Sequence, residues 1–134
     1  MNYLGIDYGL SHIGLAISYG ILAEPLAQLD NISDEQSAEL IGTISRIHDI
    51  DKIIVGISEG SMAERTKLFA DTLKKLISIP VVFVDETLSS QEASQLLVQS
   101  GAKRMKRQTK QHQTAAALIL QRYLEDYTHG LYSD

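Results

Sequence analysis

Acidic residues recur in this sequence where strands of a sheet are expected to end. Asp7 lies late in the first apolar segment, Glu59 follows the fourth, and Asp85 and Glu86 follow the fifth. Ligands of α/β sheets bind outside the carboxyl ends of parallel strands, and adjacent strands are only about 4.8 Å apart. Carboxylates from neighbouring strand ends can therefore converge on one hard cation such as Mg²⁺. This placement predicts a metal or phosphate site.

Each of these acidic residues also has an ordinary structural role open to it. Asp7 can be an exposed hairpin residue or a turn cap for Gly9. Asp85 and Glu86 precede a predicted helix, whose positive N-terminal end favours a nearby carboxylate. Glu59 can be a plain loop residue. Their shared placement, rather than any one residue, supports the site.

Histidine is the other residue type that can bind a metal here, because the chain has no cysteine. The four histidines show no ligand spacing. His112 stands out because it begins the last predicted helix and lies on its sheet-facing side if Ala115, Ala116 and Ile119 pack there. No serine lies in a strand-to-helix nucleophile elbow, and the glycines form no Walker or dinucleotide fingerprint.

A basic segment precedes that last helix. It holds five of the twelve basic residues of the chain, namely Lys103, Arg104, Lys106, Arg107 and Lys110. Such a concentration is typical of contacts with a phosphate backbone, which carry no base information and weaken with salt. A solvated charged loop is the alternative. The net charge of −5 argues only against indiscriminate nucleic-acid binding.

Composition is that of one globular domain. The 134 residues are 44% hydrophobic and 22% charged, which is enough to bury a substantial core. No apolar run is long enough to span a membrane, and the N-terminus lacks a signal-peptide pattern. The absence of cysteine excludes disulfides and fits a reducing compartment. We expect a cytoplasmic protein without membrane contact.

Apolar periodicity and turn residues divide the chain into strands and helices. The predicted strands are an opening hairpin of Tyr3–Gly9 and Ile13–Ser18, then Ile21–Leu29, Lys52–Ile57 and Val81–Val84. The first predicted helix runs from a cap at Asn31 or Ser33 to Ile47, and the second from Ala63 to Ile77. The third runs from a cap at Ser89 or Ser90 to Val98, and Lys103–Lys110 is a basic connection after it. The last helix begins near Gln111 and ends in a frayed tail from about Thr128.

The order of these elements predicts an α/β fold with a mixed five-stranded sheet flanked by helices. Three strands joined by short turns favour an antiparallel meander, and Pro25 suggests that the third is an edge strand. The two later strands follow helices, so they should join the sheet in parallel through right-handed crossovers.

The chain resembles the YqgF (RuvX) family of RNase H-like nucleases over nearly its whole length. The resemblance implies an RNase H-like fold and a role in processing the 5′ end of pre-16S ribosomal RNA, and the family was also proposed to resolve Holliday junctions. It puts Asp7 and Glu86 in the places of acidic active-site residues. The resembling segments are Gly5–Gly9 with Ile13–Ala16, Ile54–Gly56 with Phe69–Ala70, Asp85–Glu86 with Leu88–Ser89, and Ala115–Ala116 with Ile119–Leu120.

The sequence departs from the family pattern at positions that matter for chemistry. The family has an aspartate three residues before the paired alanines, where this chain has His112. A neutral imidazole can bind Mn²⁺ or carry a proton but suits Mg²⁺ poorly. At two positions where the family has a basic residue, this chain has His12 and Thr87. Glu59 can supply the negative charge that the aspartate at position 112 would have provided.

The leading hypothesis is a phosphodiesterase that depends on Mg²⁺ or Mn²⁺. Asp7, Glu86 and His112 hold the metal, and the basic segment holds structured RNA or, alternatively, branched DNA. A catalytically weakened nucleic-acid-binding module is the second hypothesis. An actin-like ATPase needs two such domains, and this chain has room for one. Monomer and homodimer both stay open, although a junction resolvase would need to be dimeric.

Overall fold

The computed structural model describes residues 1–58, 60–85 and 104–128, with the backbone alone at 104–112 and 127–128. The predicted helix at 89–98 and the positions Glu59, Glu86 and Lys103 lie outside the described residues. The elements are β1 (Tyr3–Tyr8), β2 (His12–Ser18), β3 (Ala23–Asp30), α1 (Asp34–Ile47), β4 (Lys52–Ile57), α2 (Ser61–Leu76), β5 (Val81–Asp85) and α3 (Arg104–Thr128).

The five strands form one mixed sheet in the order β3-β2-β1-β4-β5. The pairs β1–β2 and β2–β3 are antiparallel, while β1–β4 and β4–β5 are parallel. This confirms the predicted sheet, including the edge position of the strand that carries Pro25. Short turns connect the antiparallel strands, and helical crossovers connect the parallel ones, as the connection lengths require.

Both faces of the sheet are covered by helices. The face with Leu4, Ile6 and Ile53 packs against α1 and α2 in a large apolar cluster. The opposite face, with Tyr3 and Ile54, packs against α3 in a smaller cluster. All six residues of β1 are consequently buried. The predicted hairpin of β1 and β2 is confirmed, and both faces of β1 are covered.

The last helix is longer than the sequence pattern predicted. It begins at Arg104, so residues 104–110 are its first two turns and not an irregular connection. Arg, Lys, Met and Gln are good helix formers, and neither glycine nor proline interrupts the stretch. Apolar periodicity could not indicate these two turns, because Met105 is the only apolar residue of the helix before Ala115. Within the described residues, no helix combines the length and apolarity needed to cross a membrane.

The remaining differences concern strand ends and edges. β3 begins at Ala23 rather than Ile21, and α2 begins at Ser61 rather than Ala63. β5 is the second edge of the sheet, and only its residue Val84 is buried. Ser33 caps α1 as predicted, since its hydroxyl oxygen accepts a hydrogen bond from the Gln36 amide at 3.2 Å.

Candidate metal and nucleic-acid site

Asp7 lies near the carboxyl end of β1, the middle strand of the sheet. It is only 5% exposed, so the interpretation of an exposed hairpin aspartate was wrong. Strand alternation puts it on the same face as Tyr3 and Gly5, which is the face covered by α3. A charged group is costly to keep in such a place and needs partners there, which is more typical of functional than of structural residues.

The residues level with Asp7 on the neighbouring strands are glycines. Gly14 of β2 is paired with Asp7, and Gln28 of β3 is paired with Gly14. On the other side, the parallel register of Ile6 with Val55 places Gly56 of β4 beside Asp7. Asp7 therefore has no side chain next to it in its own row of the sheet, and both flanking glycines are buried.

The helix α3 packs very close to β1 because β1 carries a glycine. A Cβ atom added at Gly5 would lie 2.9 Å from the backbone oxygen of Ala116 and 2.9 Å from the Cβ of Leu120. Nearer the start of β1, the ring of Tyr3 meets that of Tyr123 edge-on, with centroids 6.0 Å apart. The helix thus runs antiparallel to β1, so the N-terminal part of α3 lies towards the end of β1 that carries Asp7.

The end of β1 is fixed to the start of α1 by polar contacts. The Tyr8 hydroxyl donates to Asp34 Oδ1 at 2.8 Å, and the ring stacks on Phe69 with centroids 4.7 Å apart. Asn31 Nδ2 donates to the Gly9 carbonyl at 3.1 Å. Burial, and then the hydrogen bond to Asp34, raises the pKa of Tyr8, so the phenol stays neutral. These contacts hold the backbone on the carboxyl-terminal side of Asp7.

The end of β5 is tied to α3. Arg122 Nη1 donates to the backbone oxygen of Asp85 at 3.2 Å. Asp85 is paired with Ile57 at the end of β4, so the ends of β4 and β5 lie side by side. Glu86 follows directly in the sequence but lies outside the described residues, as does Glu59. The structure therefore fixes the strand ends that precede both residues.

The basic positions Arg104, Lys106, Arg107 and Lys110 belong to α3, and so does position 112. Their side chains are not described, and Lys103 precedes the described part of the helix. Among the residues whose side chains the structure describes, no three His, Cys, Asp or Glu cluster as metal ligands do. The structure thus defines Asp7 in atomic detail and His112 through its backbone.

Three residues around this row were missed by the sequence reasoning. Gly5 was noted only as part of a motif, and Arg122 had no pattern to mark it. The face on which Gln28 lies could not be predicted, because the pairing of β3 with β2 shifts its register between Leu15 and Ala16. As a result, alternation counted along β3 from its start assigns Gln28 to the wrong face.

Family and curated comparisons agree over most of the chain. A family model described as "RuvX: Holliday junction resolvase" matches residues 1–126. A Syntrophus aciditrophicus protein named "putative pre-16S rRNA nuclease" is 35% identical over 133 residues, which cover 93% of this chain and 89% of that protein. A protein of the same name from Endomicrobium trichonymphae is 37% identical over 131 residues, covering 91% and 94%.

Solved structures share the fold at low sequence identity. Thermus thermophilus RuvC, in complex with a Holliday junction substrate, has a TM-score of 0.62 at 14% identity and covers 97% of both chains. The fowlpox virus resolvase, in complex with Holliday junction DNA, has a TM-score of 0.65 at 12% identity and covers 95% of this chain and 99% of its own. These likenesses confirm the predicted RNase H-like α/β fold class.

Proposed function

This chain belongs to the RuvX family, and from that membership we propose that it is a metal-dependent nuclease that processes the 5′ end of pre-16S rRNA. The observation that carries the proposal is the buried carboxylate of Asp7, which lies between two glycines at the carboxyl end of the central strand. The name shared by relatives at 35–37% identity supports ribosomal RNA as the substrate.

The donor set around Asp7 fits a divalent metal ion. A carboxylate oxygen is a preferred ligand of Mg²⁺ and Mn²⁺, and the glycines at positions 14 and 56 place no other side chain beside it in the sheet. We assign Asp7, Glu86 and His112 as the residues that would hold the ion. When bound, such an ion activates a water molecule and stabilises the leaving 3′-oxygen.

The strand end that precedes Glu86 and the helix turn that carries position 112 support their assignment. Val84 is buried on the face that α3 covers, and Glu86 comes two residues later. Position 112 lies one helical turn before Ala116, whose backbone oxygen is next to Gly5, and Asp7 lies two residues beyond Gly5. His112 then serves as a ligand or as the proton carrier. Glu59, after the end of β4, is the alternative third acidic group.

The helical form of the basic segment supports its role in holding the nucleic-acid backbone. At about 100° per residue, positions 104, 106, 107 and 110 fall within an arc of roughly 160°. This arc lies opposite the stripe of Ala116, Ile119 and Tyr123, which packs on the sheet. These positions form one side of α3 at the same end as position 112, and Lys103 precedes them in the sequence. Phosphate contacts at these basic residues would hold a strand without reading its sequence.

The proposal is tested by a cleavage assay with precursor ribosomal RNA and four-way DNA side by side, each with Mg²⁺ or Mn²⁺. We expect cleavage of the RNA by the wild type and a loss of roughly a thousandfold in Asp7→Asn, because removing the charge removes several kcal/mol of transition-state stabilisation. The thermal unfolding midpoint should not fall. The matched control is Asp71→Asn, at an exposed position of α2.

Undiminished cleavage by Asp7→Asn would remove Asp7 from the site. Cleavage of four-way DNA alone would favour the second candidate, a Holliday junction resolvase, to which the description of the matching family model points. Such an enzyme must cut two strands symmetrically, so its solution mass should be that of a dimer. Binding of RNA without cleavage under either metal would favour the non-catalytic module.

A further inference from the structure

The hairpin that joins β2 and β3 exposes a group of large apolar side chains. Tyr19, Ile21 and Leu22 are 63%, 82% and 70% exposed. They lie at the tip of the hairpin, at the end of the sheet where β1 begins, since Ser18 is paired with Tyr3. Single apolar residues are common on protein surfaces, but contiguous ones usually mark an interaction surface. These three residues form the hairpin patch.

The hairpin patch is held in place by hydrogen bonds from both faces of the sheet. The Tyr19 hydroxyl is hydrogen-bonded to Nδ1 of His48, the residue that follows α1, at 3.0 Å. From the α3 side, the Gln121 side chain accepts from the Ala23 amide at 2.8 Å and donates to the Ile21 carbonyl at 3.3 Å. The exposed side chains therefore project from a backbone that is already fixed, so binding them costs little conformational entropy.

A hollow of about 320 Å³ lies beside these side chains. Ile17, Gly20 and Glu24 line it together with the hairpin patch. An apolar cavity of roughly 150 Å³ can hold a benzene molecule, so the hollow has room for one or two branched aliphatic side chains. One small surface thus carries both protruding apolar side chains and a recess that can receive them. A twofold contact between identical chains requires this arrangement, because the same surface serves on both copies.

The charges around the hairpin patch restrict its partner. No charged residue lies between Ser18 and Ala23, and the first Lys or Arg of the chain is Arg46. Nucleic acids and anionic membranes are bound through clustered basic residues, so neither fits this surface. The chain carries a net charge of −5, and two copies repel each other least where charge is absent. The uncharged tip therefore favours a second copy of this chain as the partner.

The exposed area is sufficient for a weak dimer. The exposed parts of the three side chains amount to roughly 300–400 Å². Two copies joined here would bury about twice this area, and with the adjoining backbone and Glu24 the total approaches roughly 1,000 Å². Interfaces of this size belong to weak specific complexes, whereas permanent dimers bury about 2,000 Å² or more.

We propose that the hairpin patch joins two copies of this chain in a weak dimer with twofold symmetry, in which Ile21 and Leu22 of each copy pack into the hollow of the other. The inference does not depend on the proposed nuclease function. Asp7 lies four residues beyond Tyr3 along β1, which is about 13 Å at the rise of a β-strand. The contact is thus at the end of the sheet away from Asp7, and each copy keeps its own candidate site.

The test is sedimentation velocity over a range of about 1–500 µM protein, which brackets a weak interface. We expect the mass of the wild type to rise from one chain of 14.8 kDa towards two, with a dissociation constant on the order of 10–100 µM. Ile21→Glu brings two carboxylates together near the twofold axis and should weaken the dimer by at least about tenfold.

The matched control is Ile32→Glu, because Ile32 is 81% exposed and lies outside the hairpin patch. It should form dimers as the wild type does. Neither variant should change the thermal unfolding midpoint appreciably, since both side chains are largely exposed.

Cross-linking tests whether the contact has twofold symmetry. The chain contains no cysteine, so a single introduced cysteine reacts without background. Mild oxidation of Ile21→Cys should give a disulfide-linked dimer at least about ten times faster than oxidation of Ile32→Cys. The reason is that a residue beside a twofold axis meets its own copy within disulfide distance.

Four results would overturn the inference: a wild type that stays monomeric throughout the concentration range, a dimer that persists in Ile21→Glu, an equal loss in Ile32→Glu, or equal rates of cross-linking at positions 21 and 32. A monomer would leave the hairpin patch to a different protein. A dimer that persists in Ile21→Glu is held by another surface, and this is the result that a junction resolvase with a dimer contact elsewhere would give.

Discussion

The two faces of β1 differ in what their residues do. On one face, Leu4, Ile6 and Tyr8 pack against α1 and α2 in the larger apolar cluster. On the other, Tyr3, Gly5 and Asp7 lie beneath a single helix. Consecutive residues of one strand therefore belong to different environments, since side chains alternate between the faces of a sheet.

Under the proposed function, this difference lets one strand serve stability and chemistry at once. The α1 and α2 face contains Ile13, Leu15, Ile53 and Val55, which are fully buried and apolar. The α3 face has glycine at 14 and 56 beside a buried carboxylate, and it supports an approach of helix to strand that only glycine permits. Substitutions on the first face should change folding alone, and those on the second should also change activity.

The largest stability effect is expected at Ile6, which is completely buried between the sheet and α1 and α2. Ile6→Ala should lower the free energy of unfolding by about 2–5 kcal/mol, because it removes buried methyl groups and leaves a cavity. Chemical denaturation measures this, with Ile32→Ala as the control, since Ile32 is 81% exposed. Metal-dependent cleavage should persist while the protein is folded. Loss of metal binding by folded Ile6→Ala would show that the two faces are not separable.

A smaller effect, on both properties, is expected at Gly5. The Cβ of Gly5→Ala would meet the backbone oxygen of Ala116 at 2.9 Å, so α3 must shift. We expect a loss of about 1–3 kcal/mol in unfolding free energy and a fall in cleavage rate, because α3 carries position 112. The control is Gly42→Ala in α1, whose Cβ would lie 3.2 Å from Cγ2 of Ile77, a side-chain methyl group rather than backbone.

The control should be neutral or stabilising, since alanine is favoured over glycine in helices by up to about 1 kcal/mol. If Gly5→Ala is as stable and as active as Gly42→Ala, the close packing of α3 on β1 is not required.

The smallest effect is expected at Tyr8, whose hydroxyl donates to Asp34. Tyr8→Phe should lose about 1–2 kcal/mol at neutral pH, as a partly buried hydrogen bond to a carboxylate is removed. The fold raises the pKa of Tyr8 and so favours its neutral form. The stability that this provides is complete below the unfolded pKa of about 10 and is lost as pH rises through the folded pKa.

Denaturation of Tyr8→Phe and the wild type at about pH 8 and about pH 11 measures this dependence. The difference between them should shrink at the higher pH. A constant difference would mean that ionisation of Tyr8 is not linked to folding.

Much of the fold could be predicted from the sequence because the relevant signals are local. Apolar runs bounded by turn residues located β1 and β4, and connection lengths determined which strands pair in parallel. The start of α3 could not be predicted in this way, because residues 104–110 contain one apolar residue and show no period. Apolar periodicity alone predicts a loop for a segment such as this one, which has helix propensity but no apolar stripe.

The sequence indicates which residues are candidates for the site, but it does not indicate how they are arranged in space. Asp7 was identified by its place late in a strand, whereas its burial arises only once the sheet and its helices are assembled. The row of Gln28, Gly14 and Asp7 depends on strand register and on the irregularity opposite β3, which no local pattern reports. Glu86 and His112 remain predictions, supported by the strand end and the helix turn beside them.

The central claim is that Asp7 binds a divalent metal ion, and metal titration tests it most directly. Thermal unfolding of the wild type should shift upwards with Mn²⁺ or Mg²⁺, by about 2.7 kcal/mol of stabilisation when the ion is at 100 times its dissociation constant. Asp71→Asn should show the same shift, and Asp7→Asn should show none. An equal shift in Asp7→Asn, or no shift in the wild type with either ion, would contradict the account.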